Sequence, residues 1–453
     1  MRFSLLLPLL LLLRLALDVA GAGLDAGTAR VRITPPQPFW MSGYAARKHP
    51  SEGVLADLWA KALALRDPGG ATVVVVTTDL IGLPGAISAD VMARAKERYG
   101  LERSQILLNS SHTHSGPAVG RNLSVMFDFS TAETARVDAY ASQLTADLVG
   151  VIGAALNDLA PAEVSVGHGA AGFAINRRQP SNDGVRIGVN TTGPVDHDVP
   201  VLKVTAPDGR LRAVLFGYAC HNTTLGGDFY QINGDYAGFA QAEFEAAHPG
   251  AHALFIMLCG GDQNPNPRGT VDHARRYGSE LAAAVTQVIA GSLKPVRPPI
   301  RTASRVIQLD FAPHTRETFE AEAKDPDVFR QRRARMMLEA YDRGAPVRQV
   351  AFPMQVMRFN EDLTLLALGG EVVVGYGLRA KQTYPNENLV VSGYCHDVMC
   401  YIPTRRVLEE GGYEPVTSMI YYGQPGPFTA DVEERIFTGI GELMEGVGVR
   451  PKP

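Results

Sequence analysis

Apolar segments of strand length alternate with amphipathic segments of helix length along the first third of this chain. Val-rich and Leu-rich runs at Ala71–Thr78 and Gln105–Asn109 predict buried strands. Each run is followed by a segment with helical periodicity, Ala86–Tyr99 after the first and Ala132–Leu159 after the second. This alternation is typical of an α/β fold, in which helices cover the faces of a sheet.

The middle of the chain adds two strands that follow each other directly. Val199–Thr205 and Leu211–Tyr218 are joined across the turn residues Pro207, Asp208 and Gly209, which predicts an antiparallel pair. The predicted fold class is therefore α/β, with mixed β-sheets flanked by helices in a single large catalytic domain.

The rest of the chain continues the same rhythm. We predict helices at Tyr236–Ala247 and Val271–Ile289, charged helices within 315–344, strands at Gln349–Phe359 and Leu363–Leu368, and a last helix at Ala430–Glu445. Residues 291–300 are the most linker-like stretch, and they are either a subdomain boundary or a long surface crossing. We expect residues 23–453 to form one domain with no separate module after the last helix.

The N-terminus carries the pattern of a secretory signal. A nearly pure leucine run, Leu5–Leu13, is followed by the small residues Ala20, Gly21 and Ala22, so residues 1–22 are predicted to be a cleavable signal peptide. Arg14 interrupts the run well short of the roughly 20 apolar residues that span a bilayer. We therefore expect a secreted or periplasmic protein without a permanent membrane anchor, in at most transient contact with a membrane surface.

Charge and cysteine content exclude some classes of protein. The 453 residues carry a formal charge of −4 without a Lys/Arg run, which argues against a nucleic-acid partner. Four cysteines are too few for a disulfide scaffold of this length, although an exported chain permits bridges. Cys220–Cys259 and Cys395–Cys400 are the pairs to consider, and buried free thiols are the alternative.

Two histidines directly after a predicted strand suggest a metal site. His112 and His114, separated by one residue, would point the same way on an extended segment, and neutral imidazole is a common zinc ligand. The pattern alone is weak, because paired histidines are often ordinary loop residues.

Two further side chains suited to a metal lie at predicted strand ends. His221 follows Leu211–Tyr218, and Glu371 follows a glycine pair at a strand-to-helix turn, where a helix N-terminus favours an anion. If the strands lie side by side, their ends would bring His112, His221 and Glu371 to one site. Three protein ligands with one open coordination position are typical of catalytic zinc.

Six ordered segments between residues 30 and 420 resemble the catalytic domain of the neutral/alkaline non-lysosomal ceramidases. They are His112-Thr-His-Ser-Gly-Pro117, His221, Asn233-Gly-Asp-Tyr-Ala-Gly238, Gly261-Asp-Gln-Asn-Pro265, Gly370-Glu371, and Tyr401-Ile-Pro-Thr404 followed by Tyr413-Glu414. The resemblance implies one zinc ion per chain, held by His112, His221, Glu371 and Tyr401. Tyr401 is assigned to this set by the resemblance alone.

The resemblance also implies hydrolysis of an amide bond, in N-acylsphingosine or a related N-acyl substrate, by zinc-activated water. His114 would bind the oxyanion or pass a proton to the leaving amine. Arg177 and Tyr413 match polar positions that contact the reacting group.

One position departs from the family pattern. Where the motif carries a serine, this chain has Asn264, which cannot serve as an acyl-accepting nucleophile but can donate a hydrogen bond to an oxyanion. The C-terminal β-sandwich of longer family members is also not expected here, which weakens the inference to membrane-embedded ceramide more than the inference to zinc.

Two alternatives stay open on the sequence alone. One is a metallohydrolase of another class, such as an amidohydrolase-type barrel, although His112 and His114 do not lie near the chain start as that pattern expects. The other is a non-catalytic lipid- or sugar-binding protein on the same fold, which should tolerate loss of Glu371.

Overall fold

A computed structural model describes residues 23–452 of the chain, so the signal-peptide prediction lies outside the described residues. The described strands are β1 (Leu24–Arg32), β2 (Gly53–Val54), β3 (Trp59–Arg66), β4 (Thr72–Thr78), β5 (Ile106–Ser110), β6 (Ala160–Ala170), β7 (Ala174–Ser181), β8 (Gly184–Asn190), β9 (Asp198–Thr205), β10 (Leu211–Tyr218), β11 (Gln231–Ile232), β12 (His252–Met257), β13 (Gln263–Pro265), β14 (Lys294–Pro295), β15 (Ile300–Asp310), β16 (Gln349–Phe359), β17 (Leu363–Leu368), β18 (Glu371–Val372), β19 (Leu389–Ser392) and β20 (Tyr401–Ile402).

The described α-helices are α1 (Gly85–Tyr99), α2 (Thr131–Asn157), α3 (Asp235–Ala247), α4 (Val271–Ala290), α5 (Arg316–Glu322), α6 (Val328–Asp342), α7 (Val374–Thr383), α8 (Arg405–Glu410), α9 (Ser418–Tyr421) and α10 (Val432–Gly446). Short 3-10 turns lie at Arg103–Gln105 and Ser124–Met126, and a π-helical turn at Tyr413–Thr417.

A nine-stranded sheet forms the centre of the fold, in the order β12-β10-β9-β6-β1-β3-β4-β5, with β14 paired to β6. The pairs β10/β12 and β4/β5 are parallel, whereas the pairs between them are antiparallel. The predicted mixed sheet is confirmed. Its pairing also excludes an amidohydrolase-type barrel, because that architecture is built from eight parallel strands.

The nine-stranded sheet shares its core with a second sheet of order β15-β16-β17-β19. Alternate residues of β4 face opposite sides of the nine-stranded sheet. Val73 and Val75 pack towards the second sheet, whereas Val74 and Val76 pack against the residues of α1 and α2. Strands buried on both faces are almost wholly apolar, as the Val-rich run is. Helices α7 and α10 cover the outer face of the second sheet, in a cluster with Leu366 and Leu368.

The linker-like residues 291–300 connect the two sheets. Lys294 and Pro295 pair with β6, while Val296 and Ile300 are buried in the core that the sheets share. The segment is therefore anchored by its pairing with β6 and by these two buried side chains, while most of its residues are exposed.

Helix α2 is the longest helix and covers one face of the nine-stranded sheet. It begins at a capping box in which the Ser130 hydroxyl accepts from Glu133 N and the Glu133 carboxylate accepts from Ser130 N. An 18-residue window of α2 has a mean hydropathy of 1.3, sufficient in length and composition to cross a membrane, and half of that window is buried inside the protein. A mostly buried core helix can also have this length and hydropathy.

One buried side chain ties three strand ends together. The Asn109 amide Nδ2 donates to Met257 O at the end of β12 and to Gly393 O after β19, while its Oδ1 accepts from Met257 N. The carboxyl ends of β5, β12 and β19 therefore meet at one place, and the loops that follow them surround one site.

Candidate functional site

His112 lies two residues after the end of β5 and adopts a left-handed backbone conformation, with φ of +63°. The expectation of an extended His112–His114 segment is wrong, because the chain turns over the end of β4, where Ser111 N donates to Thr78 O and His112 N donates to Leu80 O. The His112 and His114 rings still meet edge to face, with centroids 4.7 Å apart.

The two predicted ligand histidines are oriented by backbone carbonyls. His112 Nδ1 lies 2.6 Å from Ile81 O, and His221 Nδ1 lies 2.8 Å from Gly260 O. A carbonyl only accepts, so each Nδ1 carries the hydrogen and each Nε2 presents a lone pair. This arrangement fixes the tautomer that a metal ligand requires.

The Glu371 carboxylate lies between the two free imidazole nitrogens. Its Oε2 is 2.9 Å from His112 Nε2 and 3.0 Å from His221 Nε2. Although burial alone would raise the pKa of Glu371, His112 and His221 lower it well below its usual range. Burial, together with the charge of Arg177, lowers the pKa of His221 to about 4. Two imidazole nitrogens and a carboxylate oxygen thus meet in a buried place, which requires a cation, either a proton or a metal ion, between them.

The backbone of Glu371 is positioned by a short strand pair. Glu371 is the register partner of Tyr401 in the parallel pair β18/β20, and Glu371 N donates to Cys400 O at 2.8 Å. Gly370 has φ of +74°, and a Cβ there would lie 2.6 Å from Ile402 Cγ1, so only glycine fits before the glutamate. The predicted helix N-terminus for Glu371 is wrong: the anion at the start of α7 is Asp262, whose Oδ1 accepts from Val374 N at 2.7 Å.

Tyr401 completes the cluster predicted from the family resemblance. Its Oη lies 3.0 Å from His221 Nε2 and accepts from Arg177 Nη2 at 3.0 Å. Burial raises the pKa of Tyr401 well above its ordinary value. The structure therefore brings His112, His221, Glu371 and Tyr401 together.

His114 belongs to the same group of donor atoms. Ligand atoms of His112, His114 and His221 all lie within 4.8 Å of one another, so these three histidines are a possible metal site. His114 Nε2 is 3.1 Å from His112 Nε2, and because the latter has no hydrogen, His114 Nε2–H is the donor. Burial, with His112 and His221 nearby, lowers the pKa of His114 well below its ordinary value.

The His114 ring is closely packed on its other side. Its centroid lies 4.8 Å from that of Tyr44, and a Cβ at Gly43 would lie 2.5 Å from His114 Nδ1. Gly43 also has φ of +97°, so glycine is required there on both counts. The ring is therefore fixed at the wall of a cavity.

That cavity has a volume of about 390 Å³, and His114 is the member of the histidine cluster that lines it. Its walls include the four residues predicted to act on the substrate, namely His114, Arg177, Asn264 and Tyr413, together with Tyr401. The Tyr413 ring packs against Tyr401, with centroids 5.6 Å apart, and Arg177 lies over both rings. Arg177 and Tyr413 thus both belong to the cavity wall.

Asn264 is held in one orientation by its neighbours. Its Oδ1 accepts from Arg177 Nη1 at 3.4 Å and from Thr223 Oγ1 at 3.3 Å. A guanidinium can only donate, so the amide oxygen must face Arg177. The Asn264 NH₂ has no hydrogen-bond partner within residues 23–452 and belongs to the cavity wall.

A buried ion-pair network supports this wall and was missed by sequence reasoning. The Glu414 carboxylate accepts from Arg177 Nε at 2.8 Å and from Arg178 Nη1 at 2.5 Å, and all three side chains are almost fully buried. The neighbouring pairs Arg177-Arg178 and Tyr413-Glu414 were the available signal, but only the fold shows that they meet.

Tyr422 was also missed, and nothing around it in the sequence indicates a role. Its hydroxyl donates to Glu371 Oε1, while the other carboxylate oxygen faces the histidines. Tyr422 therefore fixes the rotation of the carboxylate.

Other buried polar side chains have structural partners. Asp79 accepts from Trp59 N and Gln241 Nε2, and Asp235 accepts from Leu225 N and Tyr236 N, so neither carboxylate is bonded to a ligand histidine. His396 is buried beside Arg103. All four cysteines are buried free thiols, so neither proposed bridge is present.

Comparison with known proteins places these features in context. A family model described as neutral/alkaline non-lysosomal ceramidase, N-terminal, matches residues 25–296. The neutral ceramidase of Mycobacterium tuberculosis is 26% identical over 299 residues, covering 60% of this chain and 44% of that protein. The neutral ceramidase of Pseudomonas aeruginosa is 26% identical over 244 residues, covering 50% and 34%. The matched regions span less than half the length of these curated relatives.

Solved structures show the same fold. The crystal structure of neutral ceramidase from Pseudomonas aeruginosa superposes with a TM-score of 0.72 at 19% identity, covering 95% of this chain and 76% of that one. A ceramidase complexed with C2 gives 0.73 at 17% identity, covering 96% and 77%. The predicted fold class is confirmed.

Proposed function

This chain belongs to the neutral/alkaline non-lysosomal ceramidase family, and from that premise we propose that it is an exported, zinc-dependent hydrolase of amide bonds. Its substrate is N-acylsphingosine or a related N-acyl compound. The observation that carries the proposal is the cluster of buried acceptor atoms from His112, His221 and Glu371, which contacts two residues of a cavity wall, His114 and Tyr401. The leader-like residues 1–22 support export.

The donor set fits zinc. Imidazole nitrogen and carboxylate oxygen are the ligands zinc takes in catalytic sites, and both imidazoles are in the required tautomer. We assign one ion to His112, His221, Glu371 and Tyr401. When bound, zinc polarises a carbonyl oxygen and lowers the pKa of a water molecule to about 7.

We assign a role in amide hydrolysis to each residue around the histidine cluster. The His114 Nε2–H donates to the carbonyl oxygen as negative charge develops, or the neutral ring takes a proton from the attacking water and passes it to the leaving amine nitrogen. The Asn264 NH₂ adds a second donor to that oxygen. Since Asn264 has no nucleophilic atom, the attacking group is water rather than a side chain.

Arg177 and Tyr413 position the groups that act on the substrate. Arg177 donates to Tyr401 Oη and to Asn264 Oδ1, so one buried guanidinium holds both groups in place. Burial raises the pKa of Tyr413, which keeps its hydroxyl protonated as a donor towards the substrate. The buried Glu414 fixes the guanidinium in turn.

The cavity surroundings support a lipid substrate. Ile187 and Val189 on β8 and Val416 in the π-helical turn are exposed aliphatic side chains, and Ile187 belongs to the cavity wall. We propose that these side chains make transient contact with a membrane surface from which an N-acyl lipid enters.

The test is hydrolysis by the purified chain of N-acylsphingosine and of N-acyl amides with smaller head groups. Release of free fatty acid that is lost after chelation, and lost in His112→Ala, supports the proposal. Full activity in His112→Ala would contradict it. A binding protein on the same fold would bind N-acyl compounds without turnover and would tolerate Glu371→Ala.

A further inference from the structure

Part of the cavity wall carries positive charge from arginines that form no ion pair within residues 23–452. Arg268 belongs to the wall and is exposed, and Arg47 is buried directly behind it across Tyr44. Among residues 23–452, no carboxylate oxygen lies within 4 Å of either guanidinium.

Tyr44 holds the two arginines in place. Its hydroxyl donates to Leu225 O at 2.7 Å and accepts from Arg268 Nη2 at 3.3 Å. The Arg47 guanidinium lies 5.1 Å from the Tyr44 ring centroid and donates to the carbonyls of Ser42 and Phe229. Only one edge of the Arg268 guanidinium is used by Tyr44, so the remaining donors are available to a ligand.

The loop that carries Arg268 is anchored on both sides. Gly269 N donates to Thr224 O at 2.6 Å, and Tyr277 Oη donates to Pro267 O. The Thr270 hydroxyl accepts from His273 N at the start of α4. An arginine held on a fixed loop loses less conformational freedom on binding than one on a mobile loop.

The rest of the cavity does not offset this charge. None of its wall residues is an aspartate or glutamate. Glu371 faces the histidines, Glu414 faces Arg177 and Arg178, and Asp235 accepts backbone N–H groups. The exposed Asp228 is the remaining acidic side chain near Arg47, and it lies beyond 4 Å.

We propose that the substrate is an anionic N-acyl compound, whose carboxylate is bound by Arg268 while its amide lies over the histidine cluster. This inference rests on the proposed function and narrows it, because N-acylsphingosine is neutral. A planar guanidinium with free donors suits a carboxylate through paired charge-assisted hydrogen bonds. Arg47 adds attraction from behind without touching the ligand.

The experiment compares three amides with alkyl chains of equal length. An N-acylglycine carries the carboxylate on the amine side, an N-alkyl succinamate carries it on the acyl side, and an N-acylethanolamine is neutral. We expect kcat/KM for one of the charged amides to exceed that for the neutral amide by about tenfold or more. Arg268→Gln should remove most of that preference, and Arg268→Lys should keep part of it.

Arg301→Gln is the matched control, because Arg301 is exposed on β15 and does not belong to the cavity wall. It should leave the preference unchanged. Equal kcat/KM for charged and neutral amides, or a preference that survives Arg268→Gln, overturns the inference while the proposed function stands.

If the chain hydrolyses none of the three amides, that result counts against the proposed function. The inference about an anionic substrate is then tested by measuring how tightly the amides bind. Calorimetry with the same amides should show tighter binding of a charged one, weakened by Arg268→Gln. Equal binding of charged and neutral amides overturns the inference in that case.

Discussion

Glu371 and Tyr401 are register partners in a parallel pair of two-residue strands, although 30 positions separate them in the sequence. The pairing places a carboxylate and a phenol side by side, and both reach the same imidazole nitrogen, His221 Nε2. The metal affinity of such a site depends on how firmly each ligand side chain is held in position. Several of the contacts that hold these side chains can be removed singly by substitution.

Tyr422→Phe removes the hydroxyl that donates to Glu371 Oε1. Since partners of ligand residues typically contribute ten- to a hundredfold in metal affinity, we expect zinc affinity to fall by about that factor while the fold is retained. Zinc titration against a competing chelator measures the change. Tyr421→Phe is the control, because the neighbouring Tyr421 lines the cavity without contacting Glu371. Equal zinc affinities in the two variants would show that Tyr422 does not support the metal site.

Asn264→Ala removes the amide donor from the cavity wall. We expect turnover to slow by roughly ten- to a thousandfold with the metal retained, the scale of losing one oxyanion donor. Steady-state kinetics and elemental analysis of the same preparation check both parts. Unchanged kcat would show that Asn264 does not contact the reacting oxygen.

Asn264→Ser introduces the hydroxyl that the family resemblance implies at this position. A gain of N-acylsphingosine cleavage would identify the side chain as the element that sets substrate choice. Without a gain, the cavity walls, including Arg268, determine the substrate. The measurement is kcat/KM for N-acylsphingosine in the variant and in the parent chain.

Glu414→Gln leaves Arg177 and Arg178 buried without a carboxylate between them. We expect the free energy of unfolding to fall by about 3–5 kcal/mol, because an uncompensated buried charge is costly. Glu410→Gln is the control: Glu410 also pairs with Arg178 but is partly exposed, so the loss should stay below about 1 kcal/mol. Urea unfolding of both variants tests the difference, and equal losses would contradict it.

His396 gives the fold a defined pH dependence. Burial, with Arg103 nearby, lowers the pKa of His396 to about 3, against about 6.5 in an unfolded chain. Between these values the unfolded state binds more protons, so the contribution to stability is present above about pH 6.5 and is lost as the pH falls towards 3.

His396→Asn removes this titration and keeps a residue type that tolerates the left-handed φ of +64°. The free energy of unfolding of the parent chain should then depend on pH more steeply than that of the variant, by about 1.4 kcal/mol per pH unit between roughly pH 4 and 6. Urea unfolding across that range measures both slopes. Parallel curves would contradict the assignment.

The regular elements were predictable because their patterns are local. The Val-rich strand β4 and the helix α1 follow from periodicity alone, and each boundary falls within one residue of its prediction. Site residues at strand ends were predictable for the same reason, because His112 and His221 follow β5 and β10 directly.

The remaining features depend on contacts that no local pattern encodes. The two-residue strands β18 and β20 are too short to show any periodicity, and the left-handed turn at His112 is set by carbonyls of the neighbouring β4 region. Tyr422 reaches Glu371 across 51 positions. Long-range geometry of this kind requires the folded chain.

The most direct test of the account is the zinc content of the purified chain, measured by elemental analysis beside Glu371→Ala. Glu409→Ala, which removes an exposed glutamate paired with Arg405, is the control. We predict about one zinc per chain in the parent and in the control, and loss of zinc in Glu371→Ala. Absence of zinc from the parent chain, even after incubation with zinc, would contradict the metal site and the hydrolysis built on it.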